Sequence, residues 1–309
     1  MMLVLVGPTG VGKTDVAMAI ARQIPAEIVV VDSMQVYRGM DLGTGKPGAS
    51  FRQEIPHHGL DLVEPEEDFS VAKYLSFVSP VLRDIQARGR TPILVAGSGL
   101  YLRALLGGLC PAPGRDDEVR ERILAEAARF GTALLYDRLR VVDPAASERI
   151  HPNDLKRIVR ALEVHAVTGK PLSAWQAESG AGPTGDGQEC RFFGLIRGRD
   201  LLYRRIESRI DGWIESGWIE EARALRAREL SKTAREALGY EELFACLEGW
   251  LARDQAVALI KRNTRRYAKR QMTWFHQDRQ VHWISVDSIE PEAAAGAILH
   301  ELSSSAVRS

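Results

Sequence analysis

Met2–Thr14, MLVLVGPTGVGKT, leaves the chain little choice of fold. Met2–Val6 is a short apolar run rich in branched residues, which predicts a buried strand. Gly7, Pro8, Thr9, Gly10, Val11, Gly12, Lys13 and Thr14 then fill the pattern G-x-x-x-x-G-K-[ST] without a gap. After them Val16, Ala19, Ile20 and Ile24 repeat with the spacing of an amphipathic helix. Strand, glycine loop and helix in that order make a cradle for phosphate. Glycines let backbone N–H groups turn inward, and the helix start adds its positive end. In such a cradle Lys13 neutralises the terminal phosphate and the Thr14 hydroxyl holds a Mg²⁺ ion. The loop alone does not say whose phosphates these are.

Further α/β units follow. Ile28–Val31 predicts a second strand, ending at Asp32-Ser33. A carboxylate at a strand end beside a phosphate loop lies where open α/β sheets place their ligands. Asp32 there is a Mg²⁺ partner, a general base or merely a capping aspartate. Met34–Pro47 holds too many glycines for a helix and reads as an ordered loop on which Arg38, Thr44 and Lys46 meet a substrate. His57-His58 has no third ligand at close spacing and reads as structural or loop histidines rather than a metal site. Phe69–Arg88 predicts a helix capped by Asp68 or Ser70. Pro92–Ala96 is a third buried strand, followed by Gly97-Ser98-Gly99 and a helix over Leu100–Leu106. That glycine turn is expected to contribute to the site, because glycine lets a ligand approach the backbone closely.

From Pro113 to about Gln188 no strand pattern is convincing. Arg115–Phe130 predicts a charged helix, and Asn153–Thr168 another, capped by Asn153 and stopped at Gly169. Ser179–Gly187 reads as a flexible loop by composition. Residues 113–188 are therefore expected to be a helical domain inserted into an α/β core made of 1–112 and 189–309. Cys110, Cys190 and Cys246 lie far apart, which suits a reduced, cytoplasmic protein. No apolar run reaches membrane-spanning length and no signal peptide is seen, so no membrane partner is expected.

Lysine and arginine (41) balance aspartate and glutamate (41), so any basic surface must be local. Two stretches supply one. After a strand over Arg191–Arg197, a helix over Asp200–Ser216, capped by Asp200, carries Arg204, Arg205 and Arg209. Arg205 and Arg209 share one face and are expected to clamp a leaving phosphate. On Lys261–Trp274 the cations Lys261, Arg262, Arg265, Arg266, Lys269 and Arg270 occupy half the wheel with no acid among them. Ile260, Thr264, Tyr267, Gln271, Trp274 and Phe275 fall on the opposite, docking arc. That pattern favours a surface for a polyanion. A last strand over Val281–Val286 and a helix from about Glu290 with a loose tail close the chain.

Together these residues resemble the tRNA dimethylallyltransferase (tRNA isopentenyltransferase) family over nearly the whole chain. The resemblance is carried by GPTGVGKT at Gly7–Thr14, DSMQVYRGMDLGTGKP at Asp32–Pro47 and AGSGLYLRALL at Ala96–Leu106. NDLKRIVRALE at Asn153–Glu163 and KRQMTWF at Lys269–Phe275 add to it. Ser98 stands where the family usually has threonine, keeping the hydroxyl. The resemblance implies a P-loop NTPase-like α/β core with a parallel sheet and an inserted all-helical domain. It implies transfer of a dimethylallyl group from dimethylallyl diphosphate to the exocyclic N6 amine of the adenosine 3′-adjacent to the anticodon of a tRNA, with Mg²⁺ as cofactor. The phosphate loop then grips a diphosphate instead of hydrolysing ATP.

Residue by residue, the resemblance implies Asp32 as general base and Thr9–Thr14 at the diphosphate, with Lys13 and Arg209 stabilising it and Arg205 as second choice for the arginine. It implies tRNA contacts at Asp32, Ser33, Met34, Gln35, Ser98 and Arg120. Further tRNA contacts are implied at Lys156, Arg157, Ile158, Val159 and Arg160, and at Ala237, Leu238, Gly239, Tyr240, Glu241 and Glu242. The partner is the anticodon stem-loop, and the enzyme is expected to act as a monomer. Two other classes share the phosphate loop: a small-molecule kinase using ATP, and a nucleotide-gated RNA-binding protein without chemistry.

Overall fold

The apolar runs of the first hundred residues join two later strands in one sheet. The computed structural model describes residues 1–108, 110, 112–178 and 189–306. Among these, six strands run parallel: β1 Met2–Val6, β2 Ala26–Val31, β3 His57–His58, β4 Thr91–Ala96, β5 Cys190–Ile196 and β6 His282–Ser285. Their order is β3-β2-β4-β1-β5-β6. β1 lies between β4 (Val4 opposite Leu94) and β5 (Val4 opposite Phe192). All five β1 residues are buried, as a strand covered on both faces requires. Parallel strands share their C-terminal ends, so the phosphate loop after β1, Asp32 after β2 and Gly97 after β4 emerge on one edge of the sheet. β3 was invisible in the sequence, because two histidines show no periodicity and only pairing with Ile28 and Val29 makes them a strand.

The chain divides into two compact units, Met1–Leu105 with Pro183–Ser309, and Leu106–Gly182. The first holds the sheet and the helices Lys13–Ala21, Val71–Ala87, Arg199–Glu215, Arg253–Phe275 and Pro291–Ala306. Ser70 caps the Val71–Ala87 helix, its side chain accepting from the Lys73 N–H. Asp200 does not cap its helix. The helix begins after Gly198, whose N–H donates to Asp287 Oδ1 at 2.7 Å, so a distant carboxylate holds the entry and Asp200 lies in the first turn.

Among its described residues, every regular element of the second unit is a helix. Ile123, Leu135, Leu139, Ile158, Val159 and Leu162 form its core. Asp154, one residue later than expected, caps the Leu155–Thr168 helix by accepting from the Arg157 N–H. Gly169 ends it at φ 68°, a left-handed turn that suits glycine. Ile158 and Val159 face that core with no exposure, so their side chains are unavailable for RNA contact. Glu163, also fully buried, accepts from the Asp116 N–H and from Arg120 Nη1 at 3.0 Å, and Arg160 Nη1 lies 3.5 Å away. Arg120 and Arg160 are thus held by a carboxylate, a buried pairing that keeps their guanidinium groups oriented. The loop expected at Ser179–Gly187 and the end of the C-terminal tail lie outside the described residues.

Candidate active site

The edge where β1, β2 and β4 end opens into a cavity of about 950 Å³ within the sheet-bearing unit. The phosphate loop forms one wall. Gly10 and Gly12 adopt φ of 82° and 109°, which L side chains rarely tolerate, and Gly12 leads into the Lys13–Ala21 helix. Lys13 Nζ donates to the carbonyls of Gly7 (2.8 Å) and Pro8 (3.0 Å). Burial, reinforced by the Arg209 charge and opposed by Asp32, brings its pKa down to about 7. Arg209 crosses over the loop and donates from Nη2 to Thr9 Oγ1 at 2.7 Å, its guanidinium stacked 4.5 Å from the Trp213 ring centroid. Burial, then the neighbouring Arg205, lowers its pKa to about 10. Its Nε is buried without a hydrogen-bond partner. Arg205 donates to the Gly10 carbonyl at 3.2 Å and is half-exposed. Both candidate arginines therefore sit on the loop, and Arg209 is the enclosed one.

Lys13, Arg205 and Arg209 set three basic groups against Asp15, 4.0 Å from Arg205, and Asp32. That is an anion site, and an anion of high charge would restore the protonated state of Lys13.

Asp32 faces this charge from the end of β2. Its Oδ1 accepts from the N–H groups of Met34 (2.8 Å) and Gln35 (3.3 Å), so it also closes the turn that starts the next loop. Burial raises its pKa above the ordinary carboxylate value, and the two amides and Lys13 pull it back in part. A carboxylate with a raised proton affinity, open to a cavity, is a candidate base. Its Oδ2 lies over Gly97, where an added Cβ would come within 2.4 Å.

The cavity is also lined by Ser33, Met34, Gln35, Ala237 and Leu238. Ser98, in the turn after β4, is bound by its N–H to the Val31 carbonyl. Gly239 and Tyr240 are buried, and the Tyr240 hydroxyl donates to Glu221 Oε1 at 2.6 Å, so the Tyr240 side chain is committed to packing. Glu241 is exposed, and Glu242 accepts from Asn263 Nδ2. Arg120 and Lys156–Arg160 belong to the helical unit.

Within the Met34–Pro47 loop, Thr44 and Lys46 line the cavity while Arg38 does not, and the Lys46 charge is already paired. The Lys46 ammonium, 1% exposed, is held by the Tyr37 carbonyl, Asp41 and Asp61. Arg38 pairs with Glu64 and Thr44 donates to the Met40 carbonyl, so all three side chains stabilise the loop. His57 and His58 are structural as well, bonded to the Ile55 carbonyl and to Glu27. Among the described residues no cluster of three or more histidine, cysteine, aspartate or glutamate side chains is placed to hold a metal.

The basic helix, part of Arg253–Phe275, does not present six free cations. Lys261 is paired with Asp211 and Arg265 with Glu207, both from the Arg199–Glu215 helix, while Arg262, Arg266, Lys269 and Arg270 are exposed.

Three site features were not assigned a role from the sequence. Glu221 accepts from the N–H groups of Asp41, Leu42 and Gly43 at 2.9, 2.9 and 3.2 Å and so anchors the loop. Trp213 stacks on Arg209 and packs edge-on to Trp218. Gln271 bridges the phosphate loop and the end of β4. Only Gln271 left a trace, as an amide side chain on a helix arc otherwise largely apolar and aromatic.

Comparison with known proteins places this arrangement among relatives. The sequence model of IPP transferases matches residues 35–278, and that of isopentenyl transferases residues 1–55. A tRNA dimethylallyltransferase of Symbiobacterium thermophilum is 48% identical over 294 residues, covering 94% of this chain and 91% of that protein. One from Geobacter sulfurreducens is 45% identical over 285 residues, covering 92% and 91%. Among solved structures, the tRNA isopentenylpyrophosphate transferase of Bacillus halodurans aligns with a TM-score of 0.72 and 36% identity over 98% of this chain and 95% of that one. A eukaryotic dimethylallyltransferase acting on tRNA aligns with a TM-score of 0.76 and 25% identity over 93% and 74%.

Proposed function

The chain belongs to the IPP transferase family, and from that premise we propose that it transfers a dimethylallyl group to tRNA. The donor in this reading is dimethylallyl diphosphate, and the acceptor is the exocyclic N6 amine of the adenosine 3′-adjacent to the anticodon. The observation that carries it is the pairing of a phosphate cradle rich in buried positive charge with a carboxylate of raised proton affinity at the neighbouring strand end.

The adenine amine is a poor nucleophile because its lone pair is delocalised into the ring. Asp32 removes an N6 proton as the new N–C bond forms. At the other side of the carbon the C–O bond breaks, and diphosphate leaves with the bonding pair. Lys13, the loop N–H groups and Arg209 stabilise the growing charge on its oxygens. Arg205 borders the same anion.

The donor set around the loop fits Mg²⁺ only as a shared ion. Thr14 lines the cavity, and a Mg²⁺ ion commonly keeps several waters and takes the rest of its shell from phosphates. The ion would supply charge neutralisation on diphosphate. Ser33, Gln35 and Leu238 line the route by which an unstacked base reaches Asp32, and the exposed cations of the Arg253–Phe275 helix offer contacts to RNA phosphates. No helix among the described residues is long and apolar enough to cross a membrane. We place the reaction in the cytoplasm, with a single chain supplying every named residue of the cradle.

The test is incubation with labelled dimethylallyl diphosphate and an anticodon stem-loop, and separately with ATP and small acceptors. Label in the RNA is expected. ATP-dependent phosphorylation of a small acceptor would replace this reading with a kinase, and binding of both ligands without turnover would replace it with an RNA-binding protein.

A further inference from the structure

The inner face of the Arg253–Phe275 helix holds the reaction centre together. Gln271 is 6% exposed, and both ends of its amide are used. Oε1 accepts from the Thr9 N–H at 2.8 Å, and Nε2 donates to the Gly97 carbonyl at 2.7 Å. Each partner is tied onward. The Thr9 hydroxyl accepts from Arg209, on the diphosphate side. The N–H groups of Gly97 and Ser98 both donate to the Val31 carbonyl, one residue before Asp32. Gly97 also lies so close under Asp32 Oδ2 that a side chain there would displace the carboxylate. A continuous chain of contacts therefore runs from Arg209 through Thr9, Gln271 and Gly97 to the strand end that carries Asp32.

We propose that Gln271 is a positioning residue that sets the separation between the phosphate loop and Asp32, and with it the alignment of donor carbon, attacking amine and base. The proposal deepens the transferase reading and rests on it. The chemistry of the side chain is specific. One end must accept and the other donate, at a reach that asparagine lacks by one methylene. An ionised glutamate accepts at both ends and would turn a carboxylate oxygen onto the Gly97 carbonyl. A protonated glutamate has a C=O and an O–H and restores both bonds. Because Thr9 spends its N–H on Gln271, the donors left for phosphate begin further along the loop. Diphosphate binding should therefore depend little on Gln271, while turnover should depend on it strongly.

Gln271→Met keeps the volume and removes both bonds. With dimethylallyl diphosphate and an anticodon stem-loop, kcat is expected to fall by about 10- to 100-fold, the scale of a small misalignment of reacting groups. The Kd for inorganic diphosphate should stay within roughly threefold, because the loop amides and Lys13 remain. Gln271→Glu should turn the wild-type rise with pH, which follows Asp32 ionising, into a bell. Activity then needs Asp32 ionised and the introduced carboxyl protonated, so a falling limb absent from the wild type appears as that carboxyl ionises. A role in folding alone would lower Tm without adding a falling limb to the pH profile. Three results overturn the proposal: a Gln271→Met kcat within about twofold of wild type, a loss matched by loss of folded protein, or a Gln271→Glu profile that follows wild type. Hydrogen exchange at the Thr9 amide separates this failure from that of the transferase reading. Gln271→Met should speed that exchange whether or not the wild type prenylates RNA, and unchanged exchange overturns the proposal.

Discussion

Lys13 should take up a proton when diphosphate binds. In the free protein burial and the Arg209 charge hold its pKa at about 7. A diphosphate in the loop replaces lost water with anionic oxygens, which favours the ammonium and moves the pKa well above that value. At about pH 8 the free lysine is about 0.9 neutral, so binding takes up about 0.9 proton there; at about pH 6 it takes up about 0.1. Affinity then falls about tenfold from pH 6 to pH 8, equivalent to about 1.4 kcal/mol, as the free protein loses the charge that the complex needs. Isothermal titration with inorganic diphosphate, in two buffers of different ionisation enthalpy, counts the protons. Lys13→Arg, charged throughout, provides the reference for the ligand's own titration. Asp32→Asn removes any share taken by the carboxyl, whose proton affinity burial also raises. Identical proton counts in wild type and Lys13→Arg at pH 8 would refute the account of a neutral lysine waiting in an empty cradle.

Five further outcomes are expected. Asp32→Ala should lose about 10²- to 10⁴-fold in kcat with diphosphate binding largely kept, measured by single-turnover prenylation. Asp32→Asn should melt higher than wild type at neutral pH by about 2–4 °C per kcal/mol, since the native carboxyl is raised above its unfolded value and its ionised form destabilises the fold. That gain should shrink as pH falls through the raised native value and vanish below 3.8, where both states hold the proton, and a lower melting point at neutral pH would contradict the sign. Arg209→Lys, which cannot both bond Thr9 and stack on Trp213 as a plane, should reduce kcat by about 10²-fold, read from turnover at saturating substrates. Reversing Arg262, Arg266 and Lys269 should weaken stem-loop binding and flatten its salt dependence while leaving diphosphate affinity unchanged, as a filter-binding salt titration would show. Glu221→Ala should cost about 1–3 kcal/mol in urea unfolding and speed proteolysis of the Met34–Pro47 loop, whose amides lose their acceptor.

What the sequence displayed and what it withheld divide by the range of the interaction. β1, β2 and β4 are buried on both sides, so each carries an apolar run (Met2–Val6, Ile28–Val31, Pro92–Ala96), and the phosphate loop is complete within eight consecutive residues. The helix entry at Gly198 was displaced because its partner, Asp287, lies 89 positions away. The pairing of Lys46 with Asp61 is not legible locally, although Lys46 does line the cavity, and the partners of Lys261 and Arg265 are hidden because those acids sit on another helix. The same limit governs the reaction centre. Asp32 at a strand end and Lys13 at the start of the following helix are each located by pattern alone, yet Thr9 and Gln271 are 262 positions apart and Gly97 and Gln271 are 174 apart. A cradle and a base can therefore be legible singly while the distance between them is not, since that distance belongs to a side chain near the other end of the chain. Substitutions at Gln271 should consequently change turnover while leaving Lys13, Arg209 and Asp32 themselves unaltered.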